Sequence, residues 1–138
     1  MRVVGVEGDY PNDQPGLVFG ATEVGEDWPA VRLILLEAFR LTQLAVIAGE
    51  PIVYVISTDD LLGRNGPGSA AVAAGLVAGA RTAGIELAKA ALPINVLAID
   101  DETSGEQVER WVLHLLESEG PQGELVHLGT GHLGKALG

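Results

Sequence analysis

The residues of this chain that could do chemistry lie mostly at the ends of apolar runs. Asp59-Asp60 follows one such run and Asp100-Asp101-Glu102 follows another, so converging carboxylates could hold Mg²⁺ or Ca²⁺ through oxygen ligands. Acidic turn residues and helix-start signals account for the same positions without an ion, and no metal site is expected. His127 and His132 could share a metal on spacing alone, yet a strand histidine and a tail histidine do not make a ligand set by themselves. Ser57 and Ser69 offer hydroxyls, but no histidine stands at a recognisable spacing from either, and His114 falls on an amphipathic helix that directs it to solvent or a partner. A hydrolase triad is not expected. The segment GRNGPG (Gly63–Gly68) lacks the Lys-Ser/Thr of a phosphate loop and predicts a turn.

These positions are held by a regular alternation of elements. Arg2–Glu7 and Leu17–Gly20 are short β-branched or apolar runs separated by a Pro/Asn/Asp/Gly-rich break. Asp27 as cap, Pro29 in the first turn and Gly49 just beyond the end predict a helix over Trp28–Ala48, and its apolar residues wrap more than one face. Ile52–Ser57 suits the middle of a parallel sheet. The next helix, about Ser69–Ala90, carries Gly75, Gly79 and Gly84, which makes sense where another backbone packs very close. Pro93–Ile99 predicts a fourth strand. Ser104 and Gln107 form a capping box ahead of Val108, Trp111, Val112, Leu115 and Leu116, spaced as one face of a helix. A last strand is expected over Glu124–Leu128, followed by a Gly-rich tail, 129–138.

The alternation asks for one α/β domain over 1–138: a three-layer α/β/α sandwich with a mostly parallel sheet of about five strands, three main helices and right-handed crossovers. With 47% hydrophobic but only 4% aromatic residues, the core must be made of small and branched aliphatic side chains. The absence of cysteine excludes disulfides, thiolate metal sites and a cysteine nucleophile. A net charge of −11, from 19 acidic and 8 basic residues, would repel phosphate backbones and anionic membrane surfaces, so neither nucleic acid nor membrane is an expected partner. The start, MRVVGVEGDYPND, lacks the pattern of a secretory signal, and no uninterrupted apolar stretch of membrane-spanning length is found, which points to the cytoplasm.

On these elements the chain resembles the later part of a short-chain dehydrogenase/reductase (SDR), a family of NAD(P)-dependent oxidoreductases. DWPAVRLILLEAFRLTQLA is similar to the family's fourth helix, IVYVIST to its fifth strand, and GSAAVAAGLVAGARTAGIELAK to its fifth helix. LPINVLAID, EQVERWVLHLLES and GELVHLGTG follow in the order of the sixth strand, the helix after it and the final strand. The resemblance implies a truncated Rossmann-like fold from which the first two βα units are missing. The glycine-rich turn T-G-x-x-x-G-x-G, which would bind the cofactor pyrophosphate, is not present. Arg2–Gly8 with Asp9 resembles the third strand and is expected to slide into the place of the lost first one.

The resemblance also implies a degenerate site. The position of the family's tyrosine falls on Ser69 and that of its lysine on Ala73, and neither can supply a phenol lowered in pKa by a neighbouring ammonium. Ser57 matches the substrate-orienting serine, the fourth-helix asparagine falls on Ile34 or Leu35, and Asp100-Asp101 replaces a Pro-Gly. No catalytic activity and no cofactor are therefore expected, with NAD(P) bound only if a partner completes the site. In this family the fourth and fifth helices of two subunits form a four-helix bundle. The helices at 28–48 and 69–90 are accordingly expected to pair with a second copy or with a full-length SDR, through Leu35, Phe39, Thr42, Gly75, Gly79 and Ala83. An oxidoreductase completed by its partner and a small-metabolite-binding protein are the alternatives.

Overall fold

Strands β3 (Ile52–Ser57) and β4 (Ile94–Ile99) are almost wholly buried, and their apolar runs do not alternate because both faces of the sheet are covered. The structure is a computed structural model and describes residues 1–129. On either side of this centre lie β2 (Leu17–Ala21), β1 (Arg2–Val4) and β5 (Leu125–Leu128). The five strands form one sheet in the order β1-β2-β3-β4-β5, with every pairing parallel. β1 pairs only with β2, in the expected place beside it, from Arg2 opposite Leu17 to Val4 opposite Phe19. It stops sooner than the run Arg2–Glu7 suggested. Gly5 turns to φ +70°, and its α-carbon lies so close to β2 that a Cβ would meet the Gly20 carbonyl oxygen.

Helices α1 (Trp28–Ala48) and α3 (Pro67–Glu86) cover one face and α4 (Gly105–Glu117) the other, giving the three layers. Leu17, Phe19, Ile52, Tyr54, Ile94 and Val96 point towards α1 and α3, while Val18, Val53, Val55 and Leu97 point towards α4. Successive strands step across the sheet in one direction throughout, so helices on opposite faces require crossovers of opposite hand. With α1 and α3 in the usual right-handed sense, the β4–α4–β5 unit is left-handed. The expectation of right-handed crossovers throughout is corrected here. The loop closing that unit is held by Asn95, fully buried in β4, whose side chain donates to Pro121 O (3.0 Å) and accepts from the Glu124 N–H (3.0 Å).

The helix ends follow local chemistry. Gly49 takes φ 70° beyond α1 and its N–H reaches the Ala45 and Val46 carbonyls, and the capping box of Ser104 and Gln107 starts α4. Helix α3 ends at Glu86, before the expected Ala90, and passes through a 3₁₀ turn at Ala88–Ala90. Gly84 on α3 admits the close backbone its composition suggested, since a Cβ there would lie 2.8 Å from Gly123 N. Length and composition alone would let α3 cross a bilayer; in the fold Val72, Leu76, Val77 and Ala80 on it are buried against the sheet.

Candidate functional site

Ser57, the residue matched to a substrate-orienting serine, ends β3 and caps a single helical turn, α2 (Thr58–Leu61), where its Oγ accepts from the Asp60 N–H at 3.4 Å. No helix is expected from the sequence between the strand ending at Ser57 and the turn at Gly63–Gly68. Asp59 pairs with Arg64 at 2.8 Å on the surface, and Asp60 turns inward, 2% exposed, accepting from Asn65 Nδ2 at 2.7 Å. Burial raises the Asp60 carboxyl above the usual carboxylate range; the Asn65 bond lowers it, and Asp59 and Glu26 add repulsion. The two aspartates of this pair thus face different surroundings and do not converge on one point.

Ser69 and Ala73 are each 1% exposed, on the sheet side of α3. The Ser69 hydroxyl donates to Val24 O at 2.8 Å, and Glu26 accepts from the Gly68 N–H at 3.4 Å. The loop after β2 is therefore fastened over the start of α3, with Val24 packed against the core there. A hydroxyl committed to a carbonyl beneath a loop is not presented to a substrate. Neither Ser57, Ser69 nor Ala73 lines the main cleft.

That cleft lies at the carboxyl end of the sheet, where open α/β sheets place ligands, and measures about 770 Å³. The ends of β1 and β2, the loop to Val24, Ile34 and Glu37 of α1, and Thr103 to Val108 at the start of α4 line it. Thr103 and Asp100 are engaged with each other: Asp100 Oδ1 accepts from the Thr103 hydroxyl (3.0 Å) and from the Glu102 N–H (3.1 Å). No group of three or more His, Asp or Glu with metal-ligand geometry is found among the described residues. His127 lies on β5, and His132 is outside the described residues, as is nearly all of the Gly-rich tail. His114 is exposed, its ring edge-on to Trp111 at 5.5 Å.

The residues named as an interface occupy the outer side of α1 and α3. Phe39 is 61% exposed; Gly75 and Gly79 are exposed, and nothing lies within 4 Å of a Cβ built on Gly79. Leu35 and Ala83 are half-buried against the core, and Leu35 reaches within 3.3 Å of a Cβ on Gly75. Thr42 is also half-buried, its hydroxyl 2.6 Å from the Tyr54 hydroxyl. Trp28, Leu33, Leu36, Leu44, Ile47 and, on α3, Ile85 are exposed as well and extend this surface. Two shallow grooves along α1, one reaching Ala83 and Leu87 of the α3 end, run across it.

No protein-family model matches the chain, and no curated protein matches it. Among solved structures it is similar to the crystal structure of 3-hydroxyacyl-CoA dehydrogenase type-2 from Mycobacterium avium, with a TM-score of 0.60 and 16% identity. The likeness covers 83% of this chain and 65% of that one, so the chain spans just under two thirds of that protein's length. At that identity the likeness is one of fold. The protein has an SDR-like, Rossmann-like α/β architecture.

Proposed function

We propose that the chain is a non-catalytic, degenerate and truncated SDR-like protein that acts in the cytoplasm as a structural or regulatory subunit. It associates through the outer side of α1 and α3, with a second copy or with a catalytic short-chain dehydrogenase. The observation that carries this reading is that Trp28, Leu33, Leu36, Phe39, Leu44 and Ile47 all stand exposed on one helix. Scattered single apolar residues are ordinary on a surface, whereas a run of large ones along one helix marks an association site. The flat, small-residue side of α3 at Gly75 and Gly79 would let a partner helix approach closely. The commitment of Ser69 to Val24 O supports the non-catalytic part. Sedimentation velocity across a range of concentrations, alone and with a full-length SDR, tests it: a dimer or a mixed complex is expected, and a monomer that binds no such enzyme overturns the reading.

The oxidoreductase alternative is tested by titrating NADH and NADPH against the isolated protein. Weak or no binding is expected; a Kd tighter than ~100 μM, a free energy of about 5.5 kcal/mol, would restore an enzyme reading. The cleft at the carboxyl end of the sheet favours the third reading, small-metabolite binding, as an activity that can coexist with association.

A further inference from the structure

Asp60 is buried without the partners that would hold a charge there. Its Oδ1 accepts from Asn65 Nδ2, and its Oδ2, wholly enclosed, meets no donor among the described residues. A carboxylate so placed costs far more than the neutral acid, which gives up no charge to the interior. The groups around it do not offset that cost. Asp59 on its own turn and Glu26 on the loop after β2 both act on it by repulsion, and Arg64 is engaged with Asp59. Of the elements packed against α2, β3 offers one ionisable group, Tyr54, whose hydroxyl is engaged with Thr42, and α3 carries no charge from Pro67 to Ala80.

The same turn anchors a longer loop. Leu62, Gly63 and Arg64 donate their N–H groups to the Thr58, Asp60 and Asp59 carbonyls, and the Asn65 side chain ties the chain ahead of Gly66 to the Asp60 carboxyl. Immediately beyond, Glu26 lies against Gly66, where a Cβ would meet its carboxylate, and accepts from the Gly68 N–H, while the Ser69 hydroxyl holds Val24 O. Thr22, Glu23 and Val24 of that loop in turn form part of the cleft wall. A continuous series of contacts therefore runs from the Asp60 carboxyl to the cleft.

We propose that Asp60 is a proton-operated catch on the loop that walls the cleft. With the carboxyl protonated, the 58–66 turn stays packed beneath the start of α3 and the Glu26 strap stays closed. When the proton passes to solvent, the carboxylate turns outward to reach water, the Asn65 tie is strained, and repulsion drives Glu26 away from Gly66 and Gly68, loosening Thr22–Val24. The cleft is thus closed on its Thr22–Val24 side in the protonated state and opened there in the ionised one. The inference is independent of association through α1 and α3.

The test is an NMR pH titration of the full chain that follows the Asp60 carboxyl carbon together with amide exchange, corrected for the intrinsic rise of exchange with pH. Asp60 is expected to titrate above the ordinary carboxylate range. Across that step exchange at Gly63, Arg64 and Gly68 should rise by about threefold or more, and the signals of Thr22–Val24 should shift with the same midpoint, while β3 and β4 keep their protection. In Asp60→Asn, which carries no titrating group there, the step should vanish and the three amides should stay protected at every pH. Four results would each overturn the proposal: titration of Asp60 within the ordinary range, exchange at these amides that ignores its midpoint, a step that persists in Asp60→Asn, or an equal rise along β3 and β4. None of these readouts follows the oligomeric state, so failure here and failure of the association reading are distinguishable.

Discussion

The two outer layers of the sheet treat water differently. On one face α4 buries Val108, Val112, Leu115 and Leu116 and turns Glu106, Gln107, Arg110, His114 and Glu117 outward, the division of a helix whose other side faces solvent. On the opposite face α1 buries Val31, Ala38, Leu41 and Ala45 yet leaves Leu36, Phe39 and Ile47 exposed among its arginines and glutamate. Each such large side chain left in water forgoes about 1.5–3 kcal/mol of burial. One layer keeps its large apolar side chains covered, and the other leaves a row of them in water.

Substitutions can separate the two layers, beginning with the largest effect. Leu115→Ala, at a position 2% exposed in the covered layer, should destabilise the monomer by about 2–5 kcal/mol in chemical denaturation. Along α3 two glycines should respond with opposite sign. Gly84→Ala meets the Gly123 backbone and should destabilise by about 1–3 kcal/mol, because main chain there has little room to yield. Gly79→Ala meets open space and should stabilise the monomer by about 1 kcal/mol through helix propensity.

A smaller, pH-dependent effect is expected at Asp60. Its pKa is raised in the fold, so the native state holds the proton more tightly than the unfolded chain does, and the penalty is present above the folded pKa. It is relieved as the pH falls through that value. Asp60→Asn should therefore be more stable than the parent at neutral pH, with the difference closing as the pH falls into the ordinary carboxylate range. The smallest effect on the monomer is expected from Phe39→Ser with Ile47→Ser, within about 0.5 kcal/mol for each surface site. The same pair should abolish any dependence of the unfolding midpoint on protein concentration, which is where the two layers part company.

Much of the fold was legible because its signals are local. The apolar runs of β3 and β4, the cap glycine Gly49 and the Ser104–Gln107 box each depend on neighbours within a few residues, and each appears where expected. The single turn α2 escaped because four residues show no helical period, although Ser57 and Asp60 have cap spacing. β1 was read too long because the approach of Gly5 to Gly20 is a contact between strands. The candidate site was less legible for the same reason. Ser69 could be matched in sequence to a catalytic position, but its bond to Val24 O spans 45 residues and exists only in the folded chain. The hidden role of Asn95, an amide inside an apolar strand, was likewise set by distant backbone groups.

That asparagine bears on the order in which the molecule opens. The last strand is docked by a left-handed turn of chain whose return is fastened to β4 by one amide side chain and by the Gly123 N–H on Ile94 O at 2.7 Å. Among the described residues β5, like β1, has a neighbour on one side only, whereas β3 is gripped from both. Amide hydrogen exchange should accordingly be faster along Leu125–Leu128 than along β3, with 121–128 coming away as one unit before β3 and β4 let go. In Asn95→Ala that unit should exchange faster still while β2 and β3 keep their rates, so that a single buried amide times the departure of the carboxyl-terminal strand.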